Sequence, residues 1–274
     1  MKIKNMMSVD LEDYFCDLPF KKWSQYESRV LKTTNKILGL FEKNNTKATF
    51  FTLGYIAEKF PDLIKEIDSR GHEIASHSYA HLDIRKVTKE KFEDDLKKSV
   101  EILEKITGKK ILGFRAPYFS IDKKSFWAME ILSKYFKYDS SIFPVKTPLY
   151  GIKNAPRNIY KPNIINPIIT DSKSNLIEIP MATDRIPLIG NIPIAGGFYL
   201  RFLPYFYMKY GLKKINKNEN PFIFYIHPKD LDSEMPKIGE YTWHHYHNLK
   251  NSTKKFEKIL NDFEFTTIKE YLKI

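Results

Sequence analysis

The chain lacks most of what staples or anchors a fold. Cys16 is its only cysteine, so neither an intrachain disulfide nor a Cys-based zinc site can be built. No apolar run approaches the roughly 20 residues needed to cross a bilayer. The opening MKIKNMMSVDLEDYF has no apolar core and meets acidic residues by position 10. That is unlike a secretory leader, and the expectation is a cytoplasmic protein. Internal repeats and low-complexity linkers are absent, which excludes solenoids and collagen-like chains. Arginine is scarce although the net charge is +12. The basic residues are mostly Lys, spread along the chain beside abundant Ile and Asn, which reads as composition bias. No nucleic-acid partner is expected.

What remains is an ordinary globular balance, with 42% hydrophobic and 28% charged residues over 274 positions. That suffices for one large core. Strand-like and helical stretches alternate through the first half. Residues 3–9, 47–54, 72–78, 111–119 and 136–142 read as strands, and 27–44, 56–71, 88–108 and 120–135 as helices. In 88–108, Thr88 is placed to cap the start and Gly108 to end it. The alternation argues βαβ units and a parallel sheet or barrel. Residues 144–200, rich in Pro, Asn and Gly, read as loops and short strands. Residues 220–228 form an apolar strand and 250–262 a closing helix. The simplest organisation is one domain over 1–274, with a core in 1–145 and a loop-rich half in 146–274.

Functional side chains of parallel α/β folds collect where strands end. The expected strand ends carry Asp10-Leu11-Glu12-Asp13, then His77 and His81, then Arg115-Ala116-Pro117, then Asp139-Ser140-Ser141, then His227-Pro228. Two imidazoles four residues apart with a carboxylate make a three-ligand divalent site. The same spacing also serves surface or capping histidines. Three carboxylates in four residues are costly at a partly buried mouth unless a cation or Arg compensates. The fork of Arg115 suits holding Asp10, or an ordinary surface ion pair. His227 suits a general acid, or a buried His bonded to backbone. His244, His245 and His247 fall in a polar segment without a nearby ordered acid and read as rim or structural residues.

Taken in order, these segments resemble the polysaccharide deacetylases of the NodB-homology type, carbohydrate esterase family 4. The resemblance runs through SVDLEDYF (8–15), ATFFTLGYIAEKFPDLI (48–64), GHEIASHSYAH (71–81), GFRAPYFSID (113–122), YDSSIFP (138–144), GGFYLRFLPY (196–205), FYIHPKDLD (224–232) and HHYHNL (244–249). The branch that looks nearest is the one associated with exosortase/PEP-CTERM exopolysaccharide loci. The resemblance implies a distorted (β/α) barrel with a loop-rich C-terminal half. It implies metal-assisted amide hydrolysis, with zinc the expected divalent metal. Asp10 matches the base, Arg115 the residue tethering it and His227 the acid. His77 and His81 match metal ligands. The carboxylate ligand is Glu12, if the strand stays extended past Asp10, or Asp13, if it turns there.

Pro117, Tyr118, Phe119, Asp139 and Trp243 are the expected substrate contacts. A Tyr118 backbone N–H is the expected oxyanion donor, and Tyr14 and Phe15 are further sugar platforms. Asp139 or Glu178 is expected to support His227. The expected partner is an N-acetylated glycan, foremost an exopolysaccharide precursor, with peripheral contact to a lipid-linked substrate. The alternatives are a peptidoglycan or small-molecule amide deacetylase, and a silent glycan-binding domain.

Overall fold

The computed structural model describes residues 3–274. They pack as two compact units, one comprising the chain up to residue 49 with 194–274, the other 50–193. The division expected at residue 145 lies inside the second unit.

In the first unit, strand Lys4–Leu11 is buried at every residue after Lys4. It pairs in parallel with Ile223–Ile226, in the register Met6↔Ile223 to Val9↔Ile226, and with Glu264–Thr266. A strand with parallel neighbours is covered on both faces, so its residues are buried in succession rather than in alternation, the polar Asn5, Ser8 and Asp10 included. Helices Val30–Lys43 and Leu249–Asp262 agree closely with the sequence reading. Helices Gly197–Phe202, Tyr205–Lys217 and Ile268–Leu272 and strand Glu264–Thr266 were not anticipated. Gly196 has φ +80°, and a Cβ there would sit 2.1 Å from the Tyr225 ring. Only glycine lets the chain pass this close to the strand that ends at His227.

In the second unit, strands Glu73–Ser76, Gly113–Phe114, Tyr138–Asp139 and Ile177–Glu178 run in parallel, with Ser76↔Phe114, Gly113↔Tyr138 and Asp139↔Glu178 in register. Thr49–Thr52 adds to this sheet beside Glu73–Ser76. The strands expected over 111–119 and 136–142 are cut to two residues each, Gly113–Phe114 and Tyr138–Asp139, and a short 3-10 turn opens at Pro117. The helix expected over 56–71 is two helices, Gly54–Lys59 and Pro61–Ser69. Pro61 has no N–H to continue the first and opens the second. The helix expected over 120–135 becomes regular at Ala128. Helix Lys89–Thr107 starts with the Thr88 side chain accepting from the Lys91 N–H and ends at Gly108, φ +66°. An antiparallel hairpin, Thr183–Ile186 with Gly190–Pro193, closes the unit.

Candidate active site

In the first unit strand Lys4–Leu11 carries Asp10 near its end, and Glu12 follows directly after it, its N–H donating to the Asp10 carbonyl at 3.0 Å. Asp10 and Glu12 are 2% and 1% exposed. Asp13 turns elsewhere. Its carboxylate accepts from the N–H groups of Tyr14 (2.9 Å), Arg29 (3.1 Å) and Val30 (3.3 Å), and from the Ser28 hydroxyl. These include the first donors of helix Val30–Lys43, whose N-cap residue Arg29 supplies no side-chain cap of its own. Asp13 does that work from a distance.

His227 ends strand Ile223–Ile226, with Nε2 3.8 Å from both Asp10 Oδ2 and Glu12 Oε1. Its Nδ1 donates to Asp230 Oδ2 at 2.8 Å, and its backbone N–H reaches the same oxygen at 2.9 Å. Burial works against the imidazolium, but Asp230 and Glu12 outweigh it and raise the pKa of His227. Burial likewise opposes the Asp230 charge, yet His227 and Arg201 hold it below the usual carboxylate range. The support expected from Asp139 or Glu178 therefore comes from Asp230, three residues beyond His227 in HPKD. An acid at that spacing after a strand end was the signal available in the sequence.

Arg201 extends this line. Its Nε donates to Asp230 Oδ1 at 2.9 Å, and its Nη1 donates to the carbonyls of His244, His245 and His247 at 2.9, 3.0 and 3.1 Å. The three-histidine segment is thus gripped by its backbone, in keeping with a structural reading. Lys229 Nζ lies 2.7 Å from Glu12 Oε1 and 2.6 Å from Asp17 Oδ2. Burial disfavours its charge, but Asp17 and Glu12 outweigh that and hold it well above the usual lysine value. The sequence reading passed over both cations. Tyr14 and Phe15 are not sugar platforms. Phe15 is fully buried, stacked on Tyr26 at 5.8 Å, and Tyr14 is 4% exposed. Trp243 is 64% exposed and remains accessible.

In the second unit His77 follows strand Glu73–Ser76. Its Nδ1 lies 2.7 Å from the Arg115 carbonyl, and its ring is 5.3 Å from that of His81. A donated Nδ1–H leaves Nε2 with its lone pair, the tautomer a metal-binding imidazole uses. Between the two histidines, the N–H groups of Tyr79 and Ala80 donate to Asp95 at 2.7 and 3.0 Å. Ser78 and His81 have φ of +66° and +53°. Left-handed backbone is disfavoured for such residues, so this loop is held by its bonds rather than by local preference. Burial raises the Asp95 pKa against the pull of those two N–H donors.

Arg115 is fully buried. Its Nε donates to the Ser140 carbonyl at 3.1 Å, its Nη2 to the Ser140 hydroxyl at 3.0 Å, and its guanidinium lies 4.1 Å from the Phe51 ring centroid. Tyr118 and Phe119 have φ of +57° and +48°. Of the expected substrate contacts in this unit, Tyr118 is partly exposed, whereas Pro117, Phe119 and Asp139 are buried. Phe119 packs edge-on against Phe143 at 5.2 Å. Asp139 accepts from the Ser141 hydroxyl at 2.5 Å and pairs with Glu178. Burial raises both pKa values, that of Glu178 well above the carboxylate range. Their side chains are internal struts, not substrate contacts.

Residues 24–134 match the family described as polysaccharide deacetylase, and residues 140–273 match a domain of unknown function, DUF3473. The chain is 32% identical over 215 residues to a peptidoglycan deacetylase of Helicobacter pylori, covering 76% of this chain and 64% of that one. It is 40% identical over 101 residues to a peptidoglycan-N-acetylglucosamine deacetylase of Bacillus cereus, covering 36% of this chain and 37% of that one. The chain thus spans less than two thirds of these relatives' lengths. A Mycobacterium smegmatis structure described as a polysaccharide deacetylase superposes with a TM-score of 0.62 at 16% identity, covering 98% of this chain and 90% of that one. PuuE allantoinase superposes with a TM-score of 0.60 at 14% identity, covering 97% and 87%. These likenesses show the α/β fold expected from the sequence, and its occurrence in an allantoinase shows that the fold alone does not choose the substrate. On the matched domain and these relatives, residues 24–134 carry the polysaccharide deacetylase match, and the chain is similar to peptidoglycan deacetylases over 215 residues.

Proposed function

We propose that this protein is a metal-dependent deacetylase that removes N-acetyl groups from N-acetylhexosamine units of a glycan, with peptidoglycan-type strands the first substrate class. The observation that carries this reading is the His77 Nδ1 bond to the Arg115 carbonyl, which fixes the tautomer a metal ligand needs. Glu12, His77 and His81 offer a carboxylate and two imidazoles, all buried, a donor set suited to a divalent cation with positions left for ligand. Zinc fits this mixture of nitrogen and oxygen donors. Asp13 is occupied in capping a helix, which favours Glu12 as the carboxylate.

When bound, the cation would polarise the amide carbonyl and favour ionisation of water. The side chains supply the rest. Asp10 is the proposed base, taking a proton from water. His227, whose protonated form Asp230 favours, is the proposed acid, giving a proton to the departing sugar amine. Lys229 offsets the negative charge gathered at Glu12 and Asp17. The relatives' names support peptidoglycan over the exopolysaccharide expected from the sequence. A cytoplasmic location remains part of the proposal and is read by fractionation.

The test is acetate release by metal-stripped protein, with and without added Zn²⁺, from peptidoglycan fragments, chito-oligosaccharide and a small N-acetyl amide. Zinc-dependent release from peptidoglycan fragments supports the proposal. Release from the small amide alone moves the substrate. Stoichiometric zinc binding with no release from any of them leaves the glycan-binding alternative.

A further inference from the structure

Helix Tyr205–Lys217 packs Met208, Gly211 and Leu212 inward. Its opposite face carries Phe206, Tyr210, Lys213 and Lys217, at the i, i+4, i+7, i+11 spacing of one stripe. Phe206 and Tyr210 are 75% and 66% exposed, where a solvated helix face would hold polar side chains. Phe202, on the preceding helix, is 51% exposed. Isolated exposed aromatics are common, but neighbouring ones on a single helix stripe mark a contact surface. The charge is one-sided as well: between Ile194 and Asn218 there is no acidic residue and there are five basic ones; Arg201 is buried on Asp230 and Lys209 pairs with Asp262, while Lys213 and Lys217, on the stripe, are exposed. No helix among the described residues is long and apolar enough to cross a membrane.

We propose that this face rests on an anionic bilayer surface, with Phe206 and Tyr210 entering the headgroup boundary and Lys213 and Lys217 meeting lipid phosphates. Aromatic rings with lysines on the same stripe match the interfacial mode of an amphipathic helix. Lysine stems lie along apolar surface while their ammonium groups stay in water, so charge and rings act on one plane. The uniform sign of the segment selects anionic lipid over neutral lipid, because juxtamembrane lysines gain most of their binding from surface potential.

The test is cosedimentation of the full chain with phosphatidylglycerol–phosphatidylcholine vesicles and with phosphatidylcholine alone, at low and high salt. The wild type is expected on the anionic vesicles only, with binding weakened by salt. K213Q/K217Q should weaken binding about twenty-five-fold, at fivefold per lysine. F206S/Y210S should weaken it by about tenfold or more. Both variants should keep the wild-type circular dichroism and melting temperature, since none of the four side chains lies in the core. Equal binding to both vesicle types, no binding to either, or binding unaffected by F206S/Y210S would overturn the proposal. So would a concentration-dependent dimer that F206S/Y210S dissolves, which would assign the face to a second copy. No arm depends on turnover, so this inference and the proposed hydrolysis fail separately.

Discussion

The Nδ1 of His227 donates to Asp230 at 2.8 Å, and the same carboxylate accepts from Arg201 at 2.9 Å through its other oxygen. The imidazole is therefore oriented by a group that is itself fixed. Asp230 is 1% exposed and Arg201 6%. A chain of charge from a clamped backbone to His227 keeps the imidazole aimed and favours its protonated form.

Asp230→Asn tests this chain. Loss of the carboxylate charge lowers the His227 pKa, so the alkaline limb of the pH–rate profile should move to lower pH. It also leaves the Arg201 charge buried without its partner, which costs about 3–5 kcal/mol. A melting temperature that drops while the alkaline limb stays in place would show that Asp230 serves the fold alone.

Asp95 holds the backbone between the two histidines. Asp95→Ala should release the Tyr79 and Ala80 N–H groups, let the left-handed residues relax, and weaken zinc binding by about tenfold. Asp95→Asn keeps one acceptor oxygen and should recover part of that affinity. Competition with a chromogenic chelator gives the affinities. A loss of stability with unchanged zinc affinity would remove the positioning role.

Legibility in the sequence followed how local each signal was. Helix Lys89–Thr107 could be read because its apolar stripe, Thr88 cap and Gly108 stop all lie within it. Helix Tyr205–Lys217 was missed because Phe206 and Tyr210 put apolar residues on the exposed face and blurred the stripe. The strand after Leu112 was overextended: the turn at Pro117 could be read, but the short pairing of Gly113–Phe114 is set by neighbouring strands distant in sequence. Motif order and resemblance singled out Asp10, His77, His81 and His227. Asp230 and Arg201 escaped because their pairing joins residues 29 positions apart. The choice between Glu12 and Asp13 turned on Arg29 and Val30, whose N–H groups no local pattern assigns to Asp13.

The two carboxylates at 12 and 13 should respond to substitution in opposite ways. Asp13→Ala removes the acceptor for the first N–H groups of helix Val30–Lys43 and should cost about 1–2 kcal/mol of stability while zinc still binds one to one. Glu12→Gln keeps the shape of the side chain and removes its charge, so zinc should no longer bind stoichiometrically, while the melting temperature of the metal-free protein changes little. Metal content after dialysis, read beside a thermal melt, separates the two. The reverse pattern would make Asp13 the ligand.

Asp139 and Glu178 are both fully buried, face one another across paired strands, and both have raised pKa values, burial being the larger cause in each. An acid that holds its proton more tightly folded than unfolded lends stability that is complete below its unfolded pKa. That stability declines as pH rises through the folded pKa. The unfolded value for Glu is about 4.3. The wild type should therefore lose melting temperature as pH rises from that value toward and past neutrality. In Glu178→Gln, the amide oxygen can keep accepting from Ile142, now 3.0 Å from Oε1, and the amide N–H can donate to an ionised Asp139 without a shared proton. The variant's melting temperature should fall less steeply over the same range, so the two curves converge or cross toward alkaline pH. Parallel curves would mean that the pair carries no extra proton in the native state.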